Sequence, residues 1–403
     1  MRTGLAVAAA AALLLPAGRA DAGEKTVSSI DELRRTAEGA KPGDRIRIAP
    51  GEYAGGLHLA GLRGAEGKPV VLEALDRKRP PTFRGGGSAI QLTDPVHVEV
   101  RDLVVEGATG NGVNVDDGGT PDTPASDVVL ADLVVRDVGP RGNCDGIKLS
   151  GLLRFRVERC VVERWGTGGS AVDMVGCRDG TIEGCTFRHD EAAAAGGASG
   201  VQAKGGSRDV AIRGNRFEHA GSRAINAGGS TGLQYFRPPL ETWTEPRYEA
   251  KAIRVEGNVI VGSDAAVAFV GVDAPVFRFN TIVRPRRWAM RILQETREPG
   301  FVPCRAGVVS DNLFVFREGA WSEGGCNVGP GTEPASFRFE RNAWFCEDAP
   351  ARTRALVRLP AEERDGTYGV DPRFSAGDDF RPRAGGGLDK VGAHAWRDAE
   401  KAK

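Results

Sequence analysis

Three neighbouring short segments of this sequence carry polar side chains that could act together on one substrate. The segments read SAVDMV, SGVQAK and RAINAG, and each sets one polar residue between apolar ones: Asp173, Gln202 and Asn226. Lys204 follows two residues after Gln202. Because side chains alternate across a β-strand, all four are predicted to point to the same face. A carboxylate, an amine and two amides in one row can bind a polar substrate and transfer a proton.

The row extends in both directions when similar segments are aligned on their central outward residue. The aligned column contains, in chain order, Gln91, Asn114, Lys148, Asp173, Gln202, Asn226, Ala268, Arg291 and Asn327. The residues of this column expected to bind substrate are Lys148, Asp173, Gln202 and Asn226. For any single one of them a solvated surface is the alternative, because the outer face of a repeat protein is polar in any case.

An insertion at residues 233–250 follows the third segment and supplies further candidates for substrate binding. It contains Tyr235, Arg237 and Trp243. Long loops over a rigid scaffold often carry binding residues. The aromatic rings could stack on sugar faces, or they could pack the loop down on the scaffold.

Candidates for proton transfer lie in and beside the row. Lys204 is the expected base if neighbouring cations favour its neutral form, and His219 is the second candidate. Arg223 enters at the edge of the row and could neutralise an anionic substrate group. His189 and His219 occupy equivalent positions of adjacent repeats and are candidates for the acid, with a stacked surface pair as the alternative.

Two interleaved repeats must position these residues. One is the outward-polar segment above, and the other places an asparagine before two apolar residues, as in GNRFEH, GNVIVG, FNTIVR, DNLFVF and RNAWFC. Short strands with Gly-rich turns predict an all-β, single-domain right-handed parallel β-helix, a solenoid of about ten coils. The asparagines should form an inward ladder of stacked amides. A β-sandwich or propeller is the alternative, but hairpin turns are scarce.

The solenoid is expected to occupy residues 23–403 as one domain. The stretch SSIDELRRTAEGAKPGD is amphipathic, with Ser29 and Glu32 spaced as a capping box, and predicts a capping helix near residues 29–39. The Pro- and Gly-rich C-terminal segment, residues 369–403, is expected to fold back along the side.

The first 22 residues predict a secretory signal peptide. A basic start and an apolar run precede a small-x-small site, so cleavage is expected after Ala22 and the protein is expected to be secreted or periplasmic. No later stretch is apolar enough for membrane insertion. The 54 Lys and Arg balance the 54 Asp and Glu, which argues against nucleic acid as a partner. We expect a monomer.

The seven cysteines give no zinc or redox motif. Their number is odd, so at least one is unpaired within the chain. Cys160 and Cys185 lie at equivalent positions of two repeats and are predicted to stack. A disulfide between them is an option, but a pair of buried thiols is favoured.

Two long segments resemble a known family. AKPGDRIRIAPGEYAGGLHLAGLRGAEGKPVVLEA and DPRFSAGDDFRPRAGGG are similar to secreted right-handed β-helix proteins of the pectate-lyase-like superfamily, nearest in pattern to the alginate lyase and chondroitinase B family. That family pairs a catalytic Lys with an Arg on the next coil, beside calcium held by acids. Lys204 matches the Lys. Asn226 and Ala227 stand about where the Arg would be, and Ala198 and Ser199 stand near the acids, so the resemblance does not imply the calcium site.

A second, partial resemblance concerns the motif NCDGIK at residues 143–148. It is similar to the first motif of polygalacturonases, whose Asp is catalytic. The next coil, GSAVDM, lacks the paired Asp of that family, and ASGVQA lacks its His. Asp145 and Asp173 on adjacent coils could still supply the two carboxylates that a glycoside hydrolase needs.

Together these patterns lead us to expect a polysaccharide lyase that cleaves a uronate-containing polysaccharide by β-elimination, with Lys204, His219 and Arg223 as catalytic residues. The alternatives are a glycoside hydrolase that uses Asp145 and Asp173, and a non-catalytic carbohydrate-binding or surface β-helix protein. No metal ligands are assigned. The cofactor is left open with calcium as the candidate, since the loop at residues 116–127 is acidic but lacks a known ligand spacing.

Overall fold

The computed structural model describes residues 23–120, 122–139, 141–190, 197–375 and 379–401. The predicted signal peptide and its cleavage site lie outside the described residues. Within the described residues, strands form three long sheets of 13, 12 and 10 strands and one short sheet of three.

The chain is a single right-handed parallel β-helix, as predicted. It visits the three long sheets in turn, and neighbouring strands within each sheet run parallel. Parallel pairing of this kind leaves each strand bonded to the equivalent strand of the coils before and after it.

The first sheet contains the strands Glu24–Val27, Arg45–Ile48, Val70–Ala74, Val96–Arg101, Ala125–Ala131, Leu152–Glu158, Thr181–Glu183, Ala211–Arg213, Arg254–Glu256, Val276–Arg278, Val308–Ser310, Arg338–Glu340 and Glu363–Arg364. The second sheet contains Glu52–Ala54, Thr82–Arg84, Val104–Glu106, Val134–Arg136, Val161–Glu163, Thr186–Arg188, Arg216–Glu218, Val259–Val261, Thr281–Val283, Leu313–Phe316, Ala343–Cys346 and Thr367–Tyr368.

The third long sheet carries the predicted row, and we call it the groove sheet. It contains Leu57–Ala60, Ile90–Thr93, Val113–Asp116, Ile147–Ser150, Ser170–Val175, Ser199–Lys204, Arg223–Gly228, Ala265–Val270, Trp288–Leu293 and Cys326–Val328. The short sheet contains Ser207–Arg208, Ala250–Lys251 and Val272–Asp273.

The asparagine repeat forms the predicted inward ladder. The five asparagines are 0% exposed: Asn215, Asn258, Asn280, Asn312 and Asn342. In each step, the backbone N–H and the side-chain amide of one asparagine donate to the Oδ1 of the next, at 2.8–3.0 Å. The ladder satisfies turn backbone that would otherwise be buried without a partner.

Apolar side chains stack in columns inside the solenoid. One column of the second sheet runs through Val162, Phe187, Phe217, Ile260, Ile282, Phe314 and Trp344. These side chains are at most 1% exposed. The rings of Phe187 and Phe217 lie 5.0 Å apart, and those of Phe314 and Trp344 lie 4.0 Å apart. This packed interior makes the groove sheet a rigid base for outward side chains.

A helix at Ile30–Glu38 packs on the first coil. The Ser29 hydroxyl accepts a hydrogen bond from the Glu32 N–H at 3.2 Å, and Leu33 and Ala37 are buried. The helix contacts the strands Glu24–Val27, Arg45–Ile48 and Leu57–Ala60. Its role as a solenoid cap stays a prediction.

Two further α-helices of the described residues lie near the C-terminus, at Thr353–Leu356 and Ala393–Lys401. The second of these is tied to the solenoid where the Ala393 N–H donates to the Thr281 hydroxyl at 2.9 Å. Leu388 packs with residues of the second sheet. None of the helices in the described residues is long and apolar enough to cross a membrane.

The cysteines are all free thiols. Cys160 and Cys185 are buried on adjacent coils, where the Cys160 N–H donates to the Cys185 sulfur at 3.4 Å. The favoured pair of buried thiols is therefore what the structure contains, and the optional disulfide is absent. Burial raises the pKa of the Cys185 thiol, so this pair is poorly suited to redox chemistry.

Candidate functional site

The row predicted from the sequence is present in the register of the groove sheet. Strand pairing places the residues directly beside one another in the order Gln91, Asn114, Lys148, Asp173, Gln202, Asn226, Ala268, Arg291 and Asn327. The parallel column pairs Asp116 with Ser150, Ser150 with Val175 and Val175 with Lys204.

Four charged residues alternate in sign along the middle of the row. Lys148 Nζ lies 3.5 Å from Asp145 Oδ2 and donates a hydrogen bond to Asp173 Oδ2. Lys204 Nζ lies 3.4 Å from the other oxygen of Asp173. The Asp173 side chain is 1% exposed, whereas those of Lys148 and Lys204 are 19% and 16% exposed. The two lysine side chains are therefore partly exposed to solvent, and the carboxylates that pair with them are buried.

Asp145 is the second buried carboxylate of this chain of charges. Its Oδ1 accepts from the Ser170 N–H at 2.7 Å, and its own N–H donates to Asn111 Oδ1 at 3.0 Å. Burial and the nearby Asp173 raise the pKa of Asp145 to about 6, against the opposing effect of Lys148. A carboxylic acid in this range could donate a proton near neutral pH.

The same two carboxylates act on Lys148. Burial alone would lower the pKa of the Lys148 amine, but Asp173 and Asp145 outweigh it and raise that pKa. Lys148 is therefore a fixed positive charge at the floor of the site, suited to binding an anion and unsuited to acting as a base.

A cleft of about 440 Å³ opens above these amines. Its charged and aromatic lining consists of Lys148, Lys204, Arg237 and Tyr235. Its uncharged polar lining includes Asn143, Ser150, Ser230 and Thr231. Tyr235 is 61% exposed, so its ring and hydroxyl are available to a ligand. Three cations, one free aromatic ring and several hydroxyls match an acidic sugar.

An ion pair with the buried Asp117 holds Arg237 in place. Arg237 Nε lies 2.9 Å from Asp117 Oδ2, and Asp117 is fully buried. Burial raises the pKa of the Asp117 carboxyl, against the effects of the Gly119 N–H and Arg237. Gly176 lets the arginine approach, because a Cβ there would lie 2.1 Å from Arg237 Cβ.

Glu249 fixes the wall of the cleft, and no sequence pattern pointed to it. It is 0% exposed and accepts from the Gly205 N–H at 3.0 Å, the Thr231 N–H at 2.9 Å and the Thr231 hydroxyl at 2.7 Å. The Thr296 hydroxyl donates to it as well. The Glu249 carboxylate therefore joins the end of the insertion to Thr231, just before its start, and to two other coils. Glu249 belongs to no repeating motif from which this role could have been predicted.

The insertion packs its other aromatic residues down. Trp243 contacts the rings of Tyr248 and Phe236 at 4.7 and 6.4 Å, and its Nε1 donates to the Pro238 carbonyl at 2.9 Å. It lines a smaller cavity of about 160 Å³ that also contains Arg237. Of the two roles considered for these rings, Trp243 has the packing role and Tyr235 is free to bind.

The two histidines lie on turns that follow the second sheet. His189 Nε2 lies 2.9 Å from the Trp165 carbonyl, and its Nδ1 accepts from the Asp190 N–H at 2.9 Å, so both ring nitrogens are engaged. The His219 ring lies against Gly262, where a Cβ would come within 2.3 Å of Nδ1. Neither histidine lines the cleft, and a catalytic role for His219 stays a prediction.

Arg223 reaches the row on the coil that follows Lys204. Its Nη1 donates to Asn226 Oδ1 at 3.3 Å and its Nη2 to Glu295 Oε1 at 2.7 Å. Asn226 is 2% exposed and paired with Gln202 across the strands. Lys204 in turn donates to Gln202 Oε1 at 3.4 Å.

The donor set does not fit a calcium ion. Ala198 and Ser199 are buried where the family resemblance would need acids. In the acidic loop, Asp117 pairs with Arg237 and Asp127 with Arg154. Across the described residues no group of three or more His, Cys, Asp or Glu side chains is arranged to hold a metal.

Among the comparisons with known proteins, the one with solved structures gives matches, and these share the fold. No family model matches the chain, and no curated protein matches it. Among solved structures, an alginate lyase from Paenibacillus sp. str. FPU-7 is 14% identical with a TM-score of 0.52, over 77% of this chain and 96% of that one. The Dettilon tailspike protein gp208 is 11% identical with a TM-score of 0.52, over 76% of this chain and 57% of that one. At these identities the likeness shows a shared parallel β-helix architecture.

Proposed function

We propose that this protein is a carbohydrate-active enzyme, a polysaccharide lyase that acts on a uronate-containing polysaccharide. The observation that carries the proposal is the cleft in which Lys148, Lys204 and Arg237 face one another beside the exposed ring of Tyr235. The fold that the chain shares with an alginate lyase is compatible with it.

The cleft offers each role that β-elimination requires. Lys148 and Arg237 neutralise the uronate carboxylate, which makes the adjacent C–H bond more acidic. Lys204 takes that proton and becomes an ammonium that pairs with Asp173, 3.4 Å away. The C–H electrons form the new C=C bond, the glycosidic oxygen leaves, and the Tyr235 hydroxyl gives it a proton.

A glycoside hydrolase is the second candidate, favoured by one specific observation. Asp145 and Asp173 lie on adjacent coils, and the pKa of Asp145 is raised to about 6, as suits a general acid. Against it, both side chains are at most 2% exposed and Lys148 lies between them. Substrate would have to displace this lysine to reach either carboxylate.

The test is a screen of uronate-bearing polysaccharides with two detectors. A lyase gives an unsaturated product that absorbs in the ultraviolet, whereas a hydrolase gives new reducing ends without that absorbance. In the lyase case Lys204→Ala lowers kcat about a thousandfold, and in the hydrolase case Asp145→Asn and Asp173→Asn are the variants that lose activity. Binding without either product would identify a carbohydrate-binding protein and refute the enzyme proposal.

Export also belongs to the proposal, because the substrate is an extracellular polymer. The predicted signal peptide supports it. N-terminal sequencing of the protein from the culture medium or periplasm should find Gly23 as the first residue, and a start at Met1 would contradict export by this route.

A further inference from the structure

The groove sheet continues for three more strands beyond the cleft, toward the C-terminal end. The row passes from Gln202 and Asn226 to Ala268, Arg291 and Asn327. Neighbouring strands lie about 4.8 Å apart, so Arg291 lies about 14 Å beyond Gln202 along the solenoid. A polymer that touches both Gln202 and Arg291 must therefore span about 14 Å along this axis.

Two arginines at this end share one aromatic ring. The Arg287 guanidinium lies 4.1 Å and that of Arg291 4.6 Å from the Trp288 ring centroid. Neither guanidinium forms an ion pair with a carboxylate in the part of the chain that the structure describes. Arg291 Nε donates to Asn327 Oδ1 at 2.8 Å. Stacking on the indole orients both cations and leaves hydrogen-bond donors unused.

Arg223 adds a third positive charge across the small side chain of Ala268. Ala268 is 0% exposed although it occupies the outward column, so its neighbours cover it. The strand of Ala268 lies between the strands of Arg223 and Arg291, and burial together with the charge of Arg223 lowers the pKa of Arg291. The nearby acids are Glu295, which pairs with Arg223, and Glu323, which accepts from Asn327. Like charges held together in this way favour a bound anion.

We propose that Arg223, Arg287 and Arg291, which we call the arginine platform, form a second anion-binding site for the same polysaccharide chain. The chain would run along the solenoid axis, with one acidic sugar in the cleft and another on the platform. This inference rests on the proposed function for the identity of the polymer. It adds that productive binding needs a chain long enough to reach both sites.

The experiment measures affinity as a function of chain length. Oligogalacturonates and oligoalginates of two and of eight sugars are titrated calorimetrically into the protein and into Arg287→Gln and Arg291→Gln, in the Lys204→Ala background to prevent turnover. Arg338→Gln is the matched control, because Arg338 is an exposed arginine on the first sheet. Dextran sulfate serves as a polyanion without uronate.

We expect the eight-sugar chain to bind more tightly than the two-sugar chain. Each platform variant should weaken its binding about tenfold, the effect of losing one charge-assisted hydrogen bond, while the two-sugar affinity and the control stay unchanged. If uronate chains bind but the platform variants behave like Arg338→Gln, the platform is refuted and the proposed function stands. If uronate chains do not bind, the proposed function fails. The platform then stands only if Arg287→Gln and Arg291→Gln weaken dextran sulfate binding, and otherwise it falls too.

Discussion

Replacement of Asn258 by alanine should destabilise the solenoid strongly. The side chain makes four buried hydrogen bonds. Its Oδ1 accepts from the N–H and from the side-chain amide of Asn215, and its Nδ2 donates to the Ile212 carbonyl and to Asn280 Oδ1, all at 2.9–3.0 Å. At about 1 kcal/mol each, the loss is about 4 kcal/mol, and the Asn215 N–H is left buried without a partner.

The assay is urea unfolding followed by circular dichroism, with amide hydrogen exchange to locate the effect. Exchange should accelerate first in the coils of Asn215 and Asn280, because the ladder bonds connect adjacent coils. Asn327→Ala is the control, since that side chain makes its hydrogen bonds at the edge of the groove, where water can replace them. An Asn258→Ala variant no less stable than Asn327→Ala would refute the ladder as a source of stability.

Three further predictions concern the site. Asp145 has a folded-state pKa of about 6 against an ordinary value of 3.8, so its contribution to stability is present below about pH 4 and is lost as the pH rises through 6. In Asp145→Asn, the free energy of unfolding from urea titrations should change by about 2–4 kcal/mol less across this pH window than in the parent. An unchanged pH profile would contradict the raised pKa. Glu249→Gln should raise KM about tenfold with kcat nearly unchanged, because the variant loosens the cleft wall; a loss confined to kcat would contradict a positioning role. Tyr235→Phe should lower kcat about a hundredfold while substrate affinity persists through the ring, and full activity would exclude Tyr235 as the acid.

The fold could be predicted in detail because it repeats. The asparagine motif marks the same turn of successive coils, so aligning the motifs also aligns the strands between them. Once that register was set, alternation along each strand placed Lys148, Asp173 and Gln202 side by side on the outer face, as the structure has them.

The parts of the site that do not repeat could not be found in this way. Glu249 bonds to Gly205, 44 residues away, across an insertion whose path no periodicity determines. The sequence likewise could not show that Trp243 packs inward while Tyr235 points out, since both are aromatic residues of one loop. Of the Arg287–Trp288–Arg291 cluster, the aligned column predicted only Arg291, because Arg287 and Trp288 precede the outward position.

Elimination by Lys204 is measured as the rate at which ultraviolet-absorbing product forms from uronate polysaccharides. We expect product with the parent protein, a decrease in kcat of about a thousandfold in Lys204→Ala, and an unchanged rate in Lys25→Ala, which removes a lysine of the first strand. Equal rates in the parent and in Lys204→Ala, or new reducing ends without absorbance, would contradict elimination by Lys204 in this cleft.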